Sequence, residues 1–189
     1  RIGGKAARRS FLQEYGTLLE EADRSVEALV YLDRAMAEDP SHAEAPAIAQ
    51  SAIDAAIKAR RPVEAAERMI AYADSYGAGA AWRAARSPSP EESERIDALC
   101  EENLYKAGVT LYERAREQGG DPAALPRAEE TLHRALSLYP RAPERDEAWF
   151  LVGEAARTAG RWGDAIAAYD AADGNGLAAA RREPLLYGR

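Results

Sequence analysis

Glu130 and His133 stand three residues apart, the spacing at which a helix sets a carboxylate and an imidazole on one face. In helical bundles such a pair bridges metal ions, but that chemistry needs a second Glu-x-x-His pair and two further carboxylates. The one other histidine, His42, follows Pro40-Ser41 and reads as an exposed turn residue. Glu130 and His133 therefore read as helix surface. A zinc site fails on ligand count, with two scattered histidines and one cysteine, Cys100. Cys100 lies beside Leu99 in a helical pattern, which suits a buried, inert thiol, and a single cysteine allows no internal disulfide. Asp170, Asp173 and Asn175 around Gly174 and Gly176 outline part of a calcium loop. The alternating ligands and terminal glutamate of such a loop are missing, and a helix-ending turn accounts for these residues. No nucleophile elbow, P-loop or dinucleotide fingerprint is present. Carboxylates are plentiful, but none is set apart in an apolar stretch as a general acid or base would be. The residue types thus motivate no catalytic group, metal or cofactor.

The 189 residues suffice for one sizeable domain or two small ones. The chain is 47% hydrophobic but only 7% aromatic, and alanine supplies much of the apolar share. Alanine favours helix and lets helices approach closely, so the expected core is made of many small contacts. The net charge of −7, with both signs interspersed, fits a solvated helical surface and argues against non-specific nucleic-acid binding. Basic clusters at Arg1, Lys5, Arg8 and Arg9 and at Arg181 and Arg182 are short, terminal and read as solvated charge. No apolar run is long enough to span a membrane.

Internal repetition organises the sequence. In AWFLVGEAARTAGRWGDAIAAYDAA, residues 148–172, Trp149 is followed by Val152-Gly153, Gly160, Ala165, Tyr169 and Ala172. Residues 9–42 repeat the pattern. Leu12, Tyr15-Gly16 and Leu19 mark a first helix, and Ala28, Leu32, Ala35 and Pro40 a second. Gly16 precedes Ala28 by the same interval that separates Gly153 from Ala165. A third copy, 101–140, carries Leu104, Ala107-Gly108 and Leu111, then Ala128, Leu132, Ala135 and Pro140. Its extra inter-helix residues fall at Gln118-Gly119-Gly120-Asp121-Pro122, a loop composition. The copy at 46–79 is degenerate: Ala49, Ala52 and Ala56 precede Ala65, Met69 and Tyr72, Ala52-Ile53 replaces the small pair, and Gly77 replaces the closing proline. Arg61-Pro62 marks a helix start. Glycine on one helix opposite alanine on the next permits close crossing, and hairpins of this kind bury their apolar faces by stacking. Ser87-Pro88-Ser89-Pro90 forbids a continuous helix. The organisation expected is repeats one and two in 1–79, an irregular joint at 80–90 with a short turn carrying Trp82, repeats three and four in 91–175, and a capping helix or tail in 176–189. A long helix is predicted from Glu91-Glu92 toward Glu117, and Leu177 to Glu183 is predicted to form the cap, ended by Pro184.

These spacings resemble the tetratricopeptide repeat, with its aromatic, small pair, turn glycine and second-helix triplet, over roughly 9–79 and 101–173. The resemblance implies an all-α, right-handed superhelical solenoid of about four helix hairpins that binds a partner peptide or domain in a concave groove. Leu138-Tyr139-Pro140-Arg141-Ala142-Pro143 with Glu147-Ala148-Trp149 is similar to junctions in bacterial envelope scaffolds of the outer-membrane assembly lipoprotein and TolA-binding coordinator type. That likeness points to a periplasmic or envelope-associated setting over a cytoplasmic one. By family spacing the groove presents Gln13, Thr17 and Glu20 from the first copy and Gln50, Asp54 and Ile57 from the second. It presents Tyr105, Val109 and Tyr112 from the third and Phe150, Glu154 and Arg157 from the fourth. The aromatic second half is the expected centre of binding, with packing of Tyr105, Tyr112 and Phe150 on neighbouring helices as the competing reading. The family's chaperone-tail clamp is not expected, because Lys58 and Asn103 are isolated from the further residues it uses. The open ends of a repeat stack also offer a surface for self-association. A second reading, prompted by the start at Arg1 without methionine or leader, is the helical arm of a larger multidomain enzyme or regulator. On either reading the partner is a protein or peptide, not a nucleic acid, and nothing spans a membrane.

Overall fold

The computed structural model describes residues 4–117, 119–120, 123–172, 180 and 182. Among these the fold is all-α, with no strand. Helices α1 (Lys5–Glu21) and α2 (Ser25–Glu38) form a first hairpin, and α3 (Ala45–Lys58) and α4 (Pro62–Tyr76) a second. A short α5 (Ala81–Arg86) precedes the long α6 (Pro90–Arg116). Then come α7 (Ala124–Leu138), α8 (Arg145–Thr158) and α9 (Trp162–Ala171), of which α8 and α9 pair as a hairpin. None of these helices is long and apolar enough to cross a membrane. The chain divides into two compact units, Arg1–Cys100 and Glu101–Arg189, and the division falls inside α6. The expected capping helix at Leu177–Glu183, the Leu185-Leu186-Tyr187 tail and the calcium-loop residues Asp173 and Asn175 lie outside the described residues.

The inter-helix turns share one chemistry. In α1–α2, α3–α4 and α8–α9 the turn residue adopts a positive φ: Asp23 at 58°, Arg60 at 56° and Gly160 at 73°. The next residue is an arginine each time, and its N–H donates to the carbonyl five residues back: Arg24 to Leu19 at 2.8 Å, Arg61 to Ala56 at 3.0 Å and Arg161 to Ala156 at 2.9 Å. This Schellman bond caps the first helix. The same arginine's carbonyl then accepts the first bond of the second helix, from the N–H of Ala28, Ala65 and Ala165. Its guanidinium pairs with an acid three residues on, at Arg24–Glu27, Arg61–Glu64 and Arg161–Asp164. The hairpins therefore share an Arg-x-x-acid-Ala segment that sets the turn and opens the second helix. The α2–α3 and α7–α8 junctions are also alike: His42 N–H donates to Asp39 O at 3.2 Å and Ala142 N–H to Tyr139 O at 3.1 Å, each beside a proline.

Close helix crossings use the small residues as the sequence predicts. A methyl group added at Gly16 would meet the Leu32 side chain at 3.0 Å. At Gly108 it would meet Leu132 at 2.6 Å, and at Gly153 the Tyr169 ring at 2.4 Å. Each glycine thus receives the residue four positions after the alanine that opens the facing helix, and Ala28, Ala128 and Ala165 are themselves fully buried. In the second hairpin, where the glycine is lost, Ala52, Ile53, Ala65 and Met69 fill the same role and are all buried.

Within Arg1–Cys100 the segment after α4 is packed, not loose. Trp82 is 6% exposed, its Nε1–H donates to the His42 carbonyl at 2.9 Å, and its ring meets Tyr76 edge-on at 5.6 Å. Tyr76 in turn meets Tyr72 at 5.0 Å. Lateral ties join neighbouring helices: Arg68 on α4 holds Asp33 on α2 through bonds of 2.7 and 2.9 Å, and Lys58 on α3 holds Glu20 on α1 at 2.7 Å. Arg9 departs from the solvated basic cluster expected of it, being 5% exposed and paired with Glu44 at 3.0 Å.

Two substitutions separate strain from packing. Arg60→Gly removes a side chain from a left-handed position and should stabilise the fold by about 1 kcal/mol. Gly153→Ala drives a methyl into the Tyr169 ring and should cost about 1–3 kcal/mol. Urea unfolding midpoints of the two variants, shifted in opposite directions from the parent, check both.

Candidate functional site

Within the Arg1–Cys100 unit, α3, α4 and the first turns of α6 border a cleft of about 470 Å³. Pro46, Ala47, Ile96 and Leu99 supply apolar wall. Gln50 and Asp54, both expected at the groove, line it one helical turn apart on α3, where Gln50 Nε2 donates to Asp54 at 3.1 Å. Glu44, Glu92 and Arg95 add charge, so carboxylates outnumber cations in the lining. Tyr72, on α4, completes the wall. It is 1% exposed, and its hydroxyl has no hydrogen-bond partner among the described residues. Burial pushes this phenol well above its ordinary pKa.

The first-copy residues are arranged differently. Gln13 and Glu20 are half-buried and Thr17 is exposed. Thr17 Oγ1 donates back to the Gln13 carbonyl at 3.2 Å, and Glu20 is held by Lys58. Ile57, at 48% exposure, faces solvent.

In the Glu101–Arg189 unit the expected aromatic face is largely drawn into the core. Tyr105 is half-buried against a cluster of Leu132, Leu136, Ala148 and Val152. Val109 is half-buried too. Tyr112 is 5% exposed, so it offers a partner little surface. Arg116 covers it, donating to its hydroxyl at 2.8 Å and lying 5.5 Å over its ring. Phe150 is half-buried with its ring 6.0 Å from that of Tyr169. Glu154, 1% exposed, is the centre of a polar cluster. It accepts from the Tyr169 hydroxyl at 2.6 Å and from Arg157 Nε and Nη2 at 3.1 and 3.0 Å, with Arg116 at 3.9 Å. A buried carboxylate needs such partners, and these satisfy its oxygens. Burial, and then the bond to Glu154, raise the Tyr169 pKa.

Of the expected residues, the fold joins Gln50 with Asp54 in one cleft, and Glu154 with Arg157 in one buried cluster. Sequence reading placed Tyr72 only among the periodic positions of a second helix and Glu92 only in the acidic first turn of a long helix, and it did not single out Arg95. The one available signal was a hydroxyl-bearing tyrosine at an apolar repeat position. His133 lies 4.0 Å from Glu129 and packs edge-on against Trp149, in keeping with surface helix packing. Comparison with models of known protein families and with curated proteins gave no match.

Two measurements follow from these environments. Tyr169→Phe withdraws a donor from buried Glu154 and should lower stability by about 1.5–3 kcal/mol in urea titrations. Tyr72, Tyr105 and Tyr169 all have raised folded-state pKa values. Neutral phenols therefore contribute stability that is fully present below the unfolded value of about 10 and is lost as the pH climbs through the higher folded values. Unfolding free energy should fall as the pH rises above about 10, and Tyr72→Phe should make that fall shallower.

Proposed function

We propose that the chain is a non-catalytic scaffold of tetratricopeptide type, its hairpins stacked as a right-handed superhelical solenoid, that binds a peptide or domain of another protein. The observation that carries this reading is the α3–α4–α6 cleft, which unites Gln50 and Asp54 with apolar wall and further polar side chains. Sites of that composition suit an extended chain segment, with apolar contact for affinity and a few polar groups for orientation. The shared turn segment and the repeated glycine–alanine crossings support kinship among the hairpins, as a repeat protein requires. The Leu138–Pro143 junction supports a place within a bacterial envelope complex. Binding centres on the first unit, because Tyr112 and Glu154 are committed to packing in the second.

Ala47 is an exposed α3 residue that lines the cleft, so Ala47→Arg fills the site without touching the core. The variant should keep its helical circular dichroism and its melting temperature, yet lose the proteins that co-purify with the parent from its native cells. An unchanged set of co-purifying proteins would sink the cleft assignment.

A further inference from the structure

The first hairpin carries an apolar stripe on the outside of α1. Phe11, Tyr15 and Leu18 fall on one face of that helix, and they are 54%, 36% and 60% exposed. The repeat spacing that aligns Gly16 with Ile53 and Gly153 aligns these three residues with Ile48, Ala52 and Ala55 on α3 and with Ala148, Val152 and Ala155 on α8. Every one of those counterparts is at most 3% exposed. In both cases the helix packs against the one before it, α3 on α2 and α8 on α7, and Ala148 and Val152 cluster with Leu132 and Leu136 of α7. The α1 stripe therefore occupies the face on which α3 and α8 bury their apolar residues. It is also held in place: the Phe11 and Tyr15 rings stack at 5.9 Å, and Tyr15 meets Tyr31 of α2 edge-on at 4.7 Å. None of these residues lines the α3–α4–α6 cleft.

We propose that this stripe docks on the same stripe of a second copy of the chain, α1 against α1, antiparallel about a two-fold axis. The charges on α1 suit a helix of its own sequence. Arg8 stands three residues before Phe11 and Glu21 three residues after Leu18, and both are exposed. An antiparallel pair thus sets Phe11 at the level of Leu18 of the second copy and Arg8 at the level of its Glu21. The two-fold repeats both matches, so the surface complements itself. The Arg8 side chain is 59% exposed, and its Nε lies 3.3 Å from Glu38 of its own chain. A guanidinium has five donors, which leaves capacity for a second acceptor. Antiparallel apposition also places the positive end of each helix dipole beside the negative end of the other. Glu14, exposed beside the stripe, comes near its own copy at the axis and opposes the pairing. A face one helix wide falls below the roughly 1,200–2,000 Å² of a stable interface, so the dimer is weak and concentration-dependent.

Sedimentation velocity of the full chain over about 1–300 μM, the range in which weak dimers dissociate, tests the pairing. The parent should pass from monomer to dimer across that range. Leu18→Lys should stay monomeric throughout with unchanged helical circular dichroism, since Leu18 is exposed. Arg8→Glu and Glu21→Arg should each weaken the dimer about threefold to tenfold at low salt. A mixture of these two variants should associate at least as tightly as the parent, because each pairing between them joins opposite charges. Glu14→Gln should tighten the dimer about twofold to threefold. A parent that stays monomeric at every concentration overturns the second copy as occupant, and so does a dimer that survives Leu18→Lys. Charge variants that fail to recover on mixing overturn the antiparallel arrangement. A monomeric parent that binds vesicles of anionic lipid, and loses them on Leu18→Lys, assigns the stripe to a membrane surface and overturns the pairing.

Discussion

The approach of one helix onto a glycine of its partner is the contact on which the hairpins depend. At Gly108 and Gly153 the facing Leu132 and Tyr169 come so near that even a methyl group would collide, and at Gly16 a methyl would press tightly on Leu32. Alanines one turn earlier on the facing helix, at 28, 128 and 165, extend the contact as a flat, fully buried strip. A chain so rich in alanine has few large side chains to spread between helices. It gains packing by bringing backbones close, where many short dispersion contacts accumulate. The second hairpin shows the constraint by departing from it. With Ala52 and Ile53 in place of a small pair, its facing positions take Ala65 and the adaptable Met69.

Close crossing requires turns that deliver the second helix at the right angle, and these turns are built locally. A left-handed residue ends the first helix, an arginine N–H reaches back to satisfy an orphan carbonyl, and the same arginine pairs with an acid in the first turn of the next helix. The acid also suits the positive end of the helix dipole. Asp23 and Arg60 hold the left-handed conformation despite their side chains, so tertiary packing outweighs a local backbone preference there. Rigid hairpins of this kind fix the faces that α3 and α4 turn toward the cleft.

Two buried polar groups meet burial in different ways. Glu154 has its oxygens taken up by Tyr169 and Arg157, which fixes it as part of the framework of its unit. Tyr72 has a phenol as deeply buried and no partner among the described residues, in a wall that borders a cleft. The first arrangement consumes its hydrogen-bonding capacity within the fold. The second leaves that capacity unused among the described residues.

The sequence by itself determined what depends on local spacing and residue size. The interval from Gly16 to Ala28 and from Gly153 to Ala165 located two hairpins, Arg61-Pro62 opened α4, and Ser87-Pro88-Ser89-Pro90 separated α5 from α6, all because helix periodicity and proline chemistry act over a few residues. Even the shared Arg-x-x-acid-Ala segment lay in plain view, though its role becomes visible only with the turn bonds. The tertiary structure decided which of the expected groove residues border a cleft and which are enclosed in the core. Tyr112 and Glu154 occupy groove positions by spacing, yet Arg116, Arg157 and Tyr169 enclose them. Gln50 and Asp54 share a cleft with Glu92 and Arg95, some forty residues away along the chain. Whether a polar atom finds a partner depends on side chains brought together from separate helices, and a one-dimensional pattern carries no record of those distances.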